Sequence, residues 1–407
     1  MVIKIPKVSF STIFIIIPIL YFNSCTFEFI KHFSFVLPIV AVCVLLWFAF
    51  LIKERVDMNI HIMAPMIGFV ILLGVLFLLT GNNRVPVLMT DLTNTIYLLI
   101  FMFIFSVYSD KQYENDRSVI LSIWLVDTVI SCIYSIYRLI DEPNLSRMLS
   151  TGTYHTTEEA IRARGIISFG VIYGLALFLI ALFYLIIMKK EKRIVNIILL
   201  TLFITALFLA QFLIAVILAA IGFVWIIFIN NPGKADNTRL RVLGFIIIGV
   251  ICILGLPLFI SLSTQFQLFG YEINARLEEI LLLFKGENLE GTDILARFSQ
   301  YFISLSAFVS SFGLGKIAFS SVQVGSHSQW LDGFGNYGII FALYIVAFFI
   351  FRRFVIQRLP NKKSKQLYSL IFAIYVVMSF INTSAWAPIT LSLCVIVPFL
   401  CLDKVKE

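Results

Sequence analysis

Charge is scarce in this chain. Only 13% of its 407 residues are charged, whereas 60% are hydrophobic, and water-soluble domains typically carry about 25% charged residues. A single water-soluble core is therefore excluded. Membrane β-strands are also excluded, because they alternate apolar and polar residues over about ten positions, and this chain has long unbroken apolar runs instead. The composition predicts an all-α integral membrane protein.

Residues suited to metals and disulfides are few and scattered. Five of the six cysteines fall inside apolar runs, and only Cys25 lies near a predicted surface, so neither a disulfide framework nor a Cys-x-x-Cys metal motif is present. No Asp-x-Asp occurs in the predicted external loops, and we therefore expect neither a metal site nor a cofactor. The four histidines are dispersed along the chain, at His32, His61, His155 and His327.

The net charge of +8 does not indicate a nucleic-acid partner. The basic residues stand in short clusters between apolar runs, where they act as signals of membrane topology. By the rule that positive loops stay inside, both termini are predicted to be cytoplasmic, in a multi-pass protein of the cytoplasmic (inner) membrane. Lys4 and Lys7 precede an apolar run that lacks a small-residue cleavage site, so this run is predicted to be an uncleaved first helix.

Apolar segments long enough to cross a hydrocarbon layer of about 30 Å recur along the whole chain. Residues 1–407 are therefore predicted to form a single polytopic membrane domain, a bundle of about 12 transmembrane helices. The first, fourth and last predicted spans are short. The predicted spans are 9–23, 33–52, 60–80, 93–108, 118–139, 166–188, 194–210, 212–230, 242–263, 335–351, 367–384 and 386–402.

Two longer connections break the pattern of short turns. Residues 141–165 form the first predicted extracytoplasmic loop, and residues 265–334 form a large extracytoplasmic loop that contains short helices. Both carry basic residues on the predicted outer side, against the rule that the short loops obey. Loops of such length are usually functional rather than simple connectors, so the chemistry is predicted to lie there.

The large loop contains a capped helix and a histidine. Thr292 is the predicted N-cap of a helix that begins with Asp293, and Arg297 lies beside an apolar stripe that includes Phe298 and Phe302. The helix is predicted to end at Phe312-Gly313-Leu314-Gly315. The segment that follows places His327 just above the bilayer.

This pattern resembles the O-antigen ligase and polymerase superfamily, which includes the Wzy-type repeat-unit polymerases. The motif covers about 45 residues, and the layout of spans and loops is also similar. One stretch departs from the family: where relatives often carry a Ser-Arg pair between spans seven and eight, this chain has Leu209-Ala210-Gln211-Phe212. The matching positions are Arg297, Gly313, Gly315, His327, Leu331 and Gly338.

The resemblance implies transfer of a glycan from an undecaprenyl diphosphate carrier to a sugar hydroxyl of another lipid-linked unit. Arginine suits the diphosphate because its guanidinium is always charged and binds phosphate oxygens as a fork. We expect Arg297, with Arg164 or Arg162, to hold the diphosphate and His327 to orient or deprotonate the acceptor. The partners would be undecaprenyl-diphosphate-linked oligosaccharide, membrane lipid and a chain-length regulator, with no metal.

Each of these residues has a plainer interpretation. His327 can be a surface residue, Arg297 can pair with Glu278 or Glu279, and Arg162 and Arg164 can anchor a helix at the interface. Three further candidates for substrate binding have alternatives as well. Arg276 can form an ion pair with nearby glutamates, Trp330 can pack at the start of a helix instead of stacking on a sugar, and Asp332 can support the histidine.

Other functions remain open at the level of sequence. An O-antigen-ligase-like enzyme would move finished polymer to a terminal acceptor, and it differs from a polymerase only in that acceptor. A transporter or flippase of lipid-linked sugar would be favoured by inverted repeats and paired intramembrane charges, and we find no such repeats. Asp127, in the middle of the fifth span, is either a functional acid or a buried carboxylate bonded to a neighbouring helix.

Overall fold

The part of the chain that the structure describes is all helical. A computed structural model of the protein describes residues 9–23, 35–80, 85–151, 163–188, 193–229, 271–285, 292–317 and 323–402. Its helices are α1 Phe10–Asn23, α2 Val36–Lys53, α3 Ile60–Thr80, α4 Val85–Tyr108, α5 Glu114–Asp141, α6 Leu145–Thr151, α7 Phe169–Met188, α8 Arg193–Leu209, α9 Leu213–Ile229, α10 Tyr271–Lys285, α11 Asp293–Ser310, α12 Gln329–Tyr337, α13 Ala342–Arg358, α14 Lys362–Ile381, α15 Ala387–Leu391 and α16 Val397–Leu402.

Seven of the described helical segments are long and apolar enough to cross a membrane, and four shorter apolar helices accompany them. This confirms the predicted all-helical membrane class. The predicted span at 242–263 lies outside the described residues, so the total of about 12 crossings and the sidedness of the loops stay predictions. The seven segments are Val36–Lys53, Ile60–Leu79, Leu88–Tyr108, Lys111–Asp141, Phe169–Ile187, Gln329–Arg358 and Lys362–Ile381.

Helix α7 lies at the centre of the bundle. Its apolar window is 83% buried inside the protein, whereas that of α3 is only 22% buried and therefore presents its side chains outward. Helix α7 packs against α8, α9, α14 and α15. Gly174 makes the approach of α15 possible, because a Cβ there would lie 2.7 Å from the carbonyl oxygen of Pro388. Small residues allow such close contact between membrane helices.

Backbone contacts fix the turn that ends α11 against the junction between α12 and α13. The Ile339 N–H donates to the Gly313 carbonyl at 2.8 Å. Gly338 has φ +58°, and a Cβ on it would come within 2.1 Å of the same carbonyl oxygen. Only glycine fits such a site without strain. The Phe-Gly-x-Gly turn and Gly338 thus lock two helices side by side.

Four of the described helices, α4, α5, α12 and α14, begin four or more residues earlier than the sequence predicted. The tenth predicted span starts at 335, but α12 begins at Gln329 because the Ser328 hydroxyl caps it, accepting from the Leu331 N–H at 3.2 Å. The fourth starts at 93, but α4 begins at Val85. In α4 the hydroxyl of Thr95 donates to the Asp91 carbonyl one turn earlier, at 2.6 Å. This bond satisfies a polar side chain inside the helix.

Candidate functional site

The guanidinium of Arg297 is held in place by two side chains. Arg297 lies one turn into α11, and its Nε donates to Asp293 at 2.8 Å while Nη1 donates to the side-chain oxygen of Asn382 at 3.1 Å. The predicted N-cap of this helix is confirmed, since the Thr292 side chain accepts from the Leu295 N–H. A guanidinium has five N–H donors, and these two bonds leave others for a ligand.

Asn382 connects the site to the rest of the bundle. Its Nδ2 donates to the hydroxyl of Tyr173 in α7 at 3.0 Å, and its backbone carbonyl accepts from the Gln329 N–H at 3.2 Å. Asn382 immediately follows α14 and is only 6% exposed. It therefore joins α7, α11, α12 and α14 at one end of the bundle.

A cavity of about 400 Å³ opens beside Arg297, and we call it the Arg297 cavity. Its walls come from the start of α7, the turn between α8 and α9, α10, α11 and the end of α14, and they are mostly apolar. Phe169, Phe212 and Ile280 are among the apolar residues, and Gln211 and Glu279 among the polar ones. An apolar pocket with a few converging polar groups is typical of a ligand site.

Asp293 favours the charged form of the Arg297 guanidinium. Burial alone would lower the pKa of the Arg297 guanidinium, but the hydrogen bond and the negative charge of Asp293 outweigh burial and raise that pKa above its ordinary value. Arg297 consequently stays charged beside apolar walls. A fixed cation in a partly water-excluded cavity interacts more strongly with an anion than one in open water.

His327 lies in an exposed loop at the same end of the bundle. The residue before it, Ser326, has φ +70°, a conformation that non-glycine residues rarely adopt and that recurs at functional sites. The loop is anchored to α11, because the Gly325 N–H donates to the Ser304 hydroxyl at 2.9 Å. It is anchored to the Arg297 site through the bond between Gln329 and Asn382. The His327 loop and the Arg297 guanidinium are thus connected through two common elements, α11 and Asn382.

A second, smaller cavity lies next to this loop, and we call it the polar cavity. It measures about 120 Å³. The Tyr337 hydroxyl donates to the Asp91 carboxylate, and Asp332 accepts from the Ser304 hydroxyl and, at 2.8 Å, from the Ser328 N–H. The residues that line the polar cavity are Phe69, Asp91, Thr95, Ser326, Gln329, Asp332, Gly333, Asn336, Tyr337, Phe341, Tyr344, Thr383 and Ala385.

Of the first-loop candidates, only Arg164 is described, and it is not among the described residues that line the Arg297 cavity. Arg164 is half-buried in the turn before α7, and this turn leads into Phe169 and Tyr173, which do line it. Arg162 lies outside the described residues. Arg276 lies in α10, and only its backbone position is described.

The structure also distinguishes between the alternative interpretations of Arg297 and Trp330 in the large loop. Arg297 pairs with Asp293 and not with Glu278 or Glu279. Trp330 is 9% exposed and stacks on Phe380, with ring centroids 5.1 Å apart. This contact favours packing over sugar stacking for Trp330.

Sequence reasoning missed Asn382 and Asp91. Asn382 fell inside a predicted span, and Asp91 lay ahead of one. Both are polar residues near the junction of two apolar runs, and this position was the sequence signal that could have identified them as candidate site residues. Gln211, in the turn between α8 and α9, lines the Arg297 cavity and has a backbone φ of +60°.

Asp127 is satisfied within the bundle. The Nδ2 of Asn23 in α1 donates to its carboxylate at 2.6 Å, and Asp127 is only 3% exposed. This is the structural role that an intramembrane acid takes when a neighbouring helix supplies a partner.

These features define a polytopic α-helical membrane protein with an arginine-containing, mostly apolar cavity at one end of its bundle. No family model, no curated protein and no solved structure matches the chain.

Proposed function

We propose that the protein is a polysaccharide polymerase that joins undecaprenyl-diphosphate-linked oligosaccharide repeat units at the outer face of the cytoplasmic membrane. The observation that carries this proposal is the fixed guanidinium of Arg297 facing a mostly apolar cavity. A lipid diphosphate combines an anionic head with an apolar chain. The Arg297 cavity offers a partner to each part.

The proposed reaction is a metal-independent glycosyl transfer. The acceptor hydroxyl oxygen attacks the anomeric carbon, and the bond from that carbon to the diphosphate breaks. The electron pair leaves with the diphosphate oxygen, whose charge is held by Arg297 with a first-loop arginine, Arg164 or Arg162. The hydroxyl proton passes to the imidazole of His327, which lies in the loop anchored to α11.

The test compares Arg297→Ala and His327→Ala with the wild type in cells that make the polymer. Both variants are expected to accumulate single lipid-linked units and to lose the polymer ladder. Arg353→Ala is the matched control, because Arg353 is an exposed arginine at the far end of the α12–α13 segment, and it should keep the ladder. A wild-type ladder from either site variant would overturn the proposal.

A polymerase and a ligase are separated by the acceptor. The purified protein is expected to lengthen lipid-linked oligosaccharides in vesicles that contain no other acceptor. Transfer only after a terminal acceptor lipid is added would favour the ligase. Uptake or flipping of lipid-linked sugar that survives both site substitutions would favour a transporter.

A further inference from the structure

We propose that the polar cavity is the subsite for a sugar ring of the acceptor chain, the unit whose hydroxyl attacks. This inference rests on the proposed function. It starts from the position of the polar cavity. Ser326 and Gln329, on either side of His327 in the chain, both line it. His327 also lies close enough to Asp332 for the two side chains to interact electrostatically.

The two cavities share a wall. Ile381 and Asn382 line the Arg297 cavity, and Thr383 and Ala385, the next residues along the same segment, line the polar cavity. The Gln329 N–H joins the start of α12 to this segment by donating to the Asn382 carbonyl at 3.2 Å. A transfer reaction needs a donor and an acceptor on either side of the reacting atoms. The segment 381–385 provides such a pair of neighbouring compartments.

The linings of the cavities differ in charge. The Arg297 cavity has the Arg297 guanidinium beside the carboxylates of Asp293 and Glu279, whereas the polar cavity holds the carboxylates of Asp91 and Asp332 and, among the described residues, no arginine or lysine in its lining. Two carboxylates with no cation beside them among the described lining residues repel a diphosphate, whereas Arg297 offsets the carboxylates of its own cavity. The carrier's head group therefore belongs in the Arg297 cavity, and the polar cavity suits a neutral ligand.

The chemistry of the polar cavity fits a polyhydroxyl ligand. Carboxylates accept hydrogen bonds from hydroxyl groups, and amides such as Asn336 and Gln329 both donate and accept them. Phe69 and Tyr344 add apolar ring surface for the C–H face of a sugar. A volume of about 120 Å³ admits one ring or its edge. The rest of a repeat unit would lie outside.

The experiment measures binding without catalysis. The probes are the repeat-unit oligosaccharide freed from lipid and phosphate, and undecaprenyl diphosphate without sugar, each titrated into the purified full-length protein. Asp91→Asn keeps the side-chain shape and removes the charge, and Asn336→Leu replaces an amide with an apolar group. Both variants are expected to weaken oligosaccharide binding by about tenfold or more. Undecaprenyl diphosphate binding should change by less than about twofold, which shows that the variants are folded.

Two matched variants complete the design. Arg297→Ala should weaken diphosphate binding and spare oligosaccharide binding. Asp127→Asn changes a buried acid outside the polar cavity and should spare both. Oligosaccharide binding that is unchanged in Asp91→Asn and Asn336→Leu, or loss of both ligands together, would overturn the acceptor assignment. A different result would overturn the proposed function: the wild type would bind the oligosaccharide but would not lengthen lipid-linked units.

Discussion

Asn382 accepts a hydrogen bond of 3.1 Å from Arg297, although 85 residues separate them in the chain. The same asparagine donates to Tyr173 at 3.0 Å. The orientation of the guanidinium therefore depends on the turn after α14 and on α7, as well as on its own helix. Groups that bind a developing charge are effective only when their supporting contacts hold them in place.

Asn382→Ala should lower polymer synthesis by about tenfold, because it removes one hydrogen bond worth about 1 to 1.5 kcal/mol from Arg297. Initial rates with purified protein and lipid-linked units measure this effect. Asn361→Ala is the control: Asn361 caps α14 at its other end by accepting from the Ser364 N–H at 2.7 Å. That variant should lose a similar amount of stability and keep its activity. Equal rates for Asn382→Ala and the wild type would contradict the supporting role.

Arg297→Lys should be a poor replacement. A lysine keeps the charge but cannot bond Asp293 and Asn382 while also presenting a fork to phosphate. We expect at least about a tenfold loss in kcat/KM. A kcat/KM of the Arg297→Lys variant within about twofold of the wild type would show that the positive charge alone suffices.

Gly338→Ala should destabilise the protein by about 2 kcal/mol or more, because the new Cβ meets the Gly313 carbonyl at 2.1 Å in a left-handed backbone conformation. Thermal unfolding in detergent measures this change. Gly74→Ala is the matched control, since a Cβ at Gly74 meets nothing within 4 Å, and its midpoint should be unchanged or slightly higher. Equal midpoints for the two variants would refute the backbone lock between α11 and α12.

Asp127→Asn should leave polymer synthesis within about twofold of the wild type. The carboxylate is bonded to Asn23 inside the bundle, and an amide of the same shape can retain a hydrogen bond there. Rates are compared at equal protein levels on immunoblots. Loss of polymer at normal protein levels would instead indicate a functional intramembrane acid.

Much of the fold was predictable because long apolar runs specify membrane helices with little help from tertiary contacts. The cap at Thr292 and the turn at Gly313 followed from local rules as well. The support of Arg297 was not predictable. Its partner Asn382 comes from a distant turn, and the contact between Asp91 and Tyr337 spans 246 positions. No local periodicity encodes such pairs.

The most direct test of the central claim is a double-mutant cycle at Arg297 and His327. Initial rates of chain lengthening are measured for the wild type, each alanine variant and the double variant, with lipid-linked repeat units as the only substrate. If both residues act on one transfer step, each single substitution removes most of the activity and the double variant is scarcely slower than either. Wild-type rates from either single variant would contradict the account.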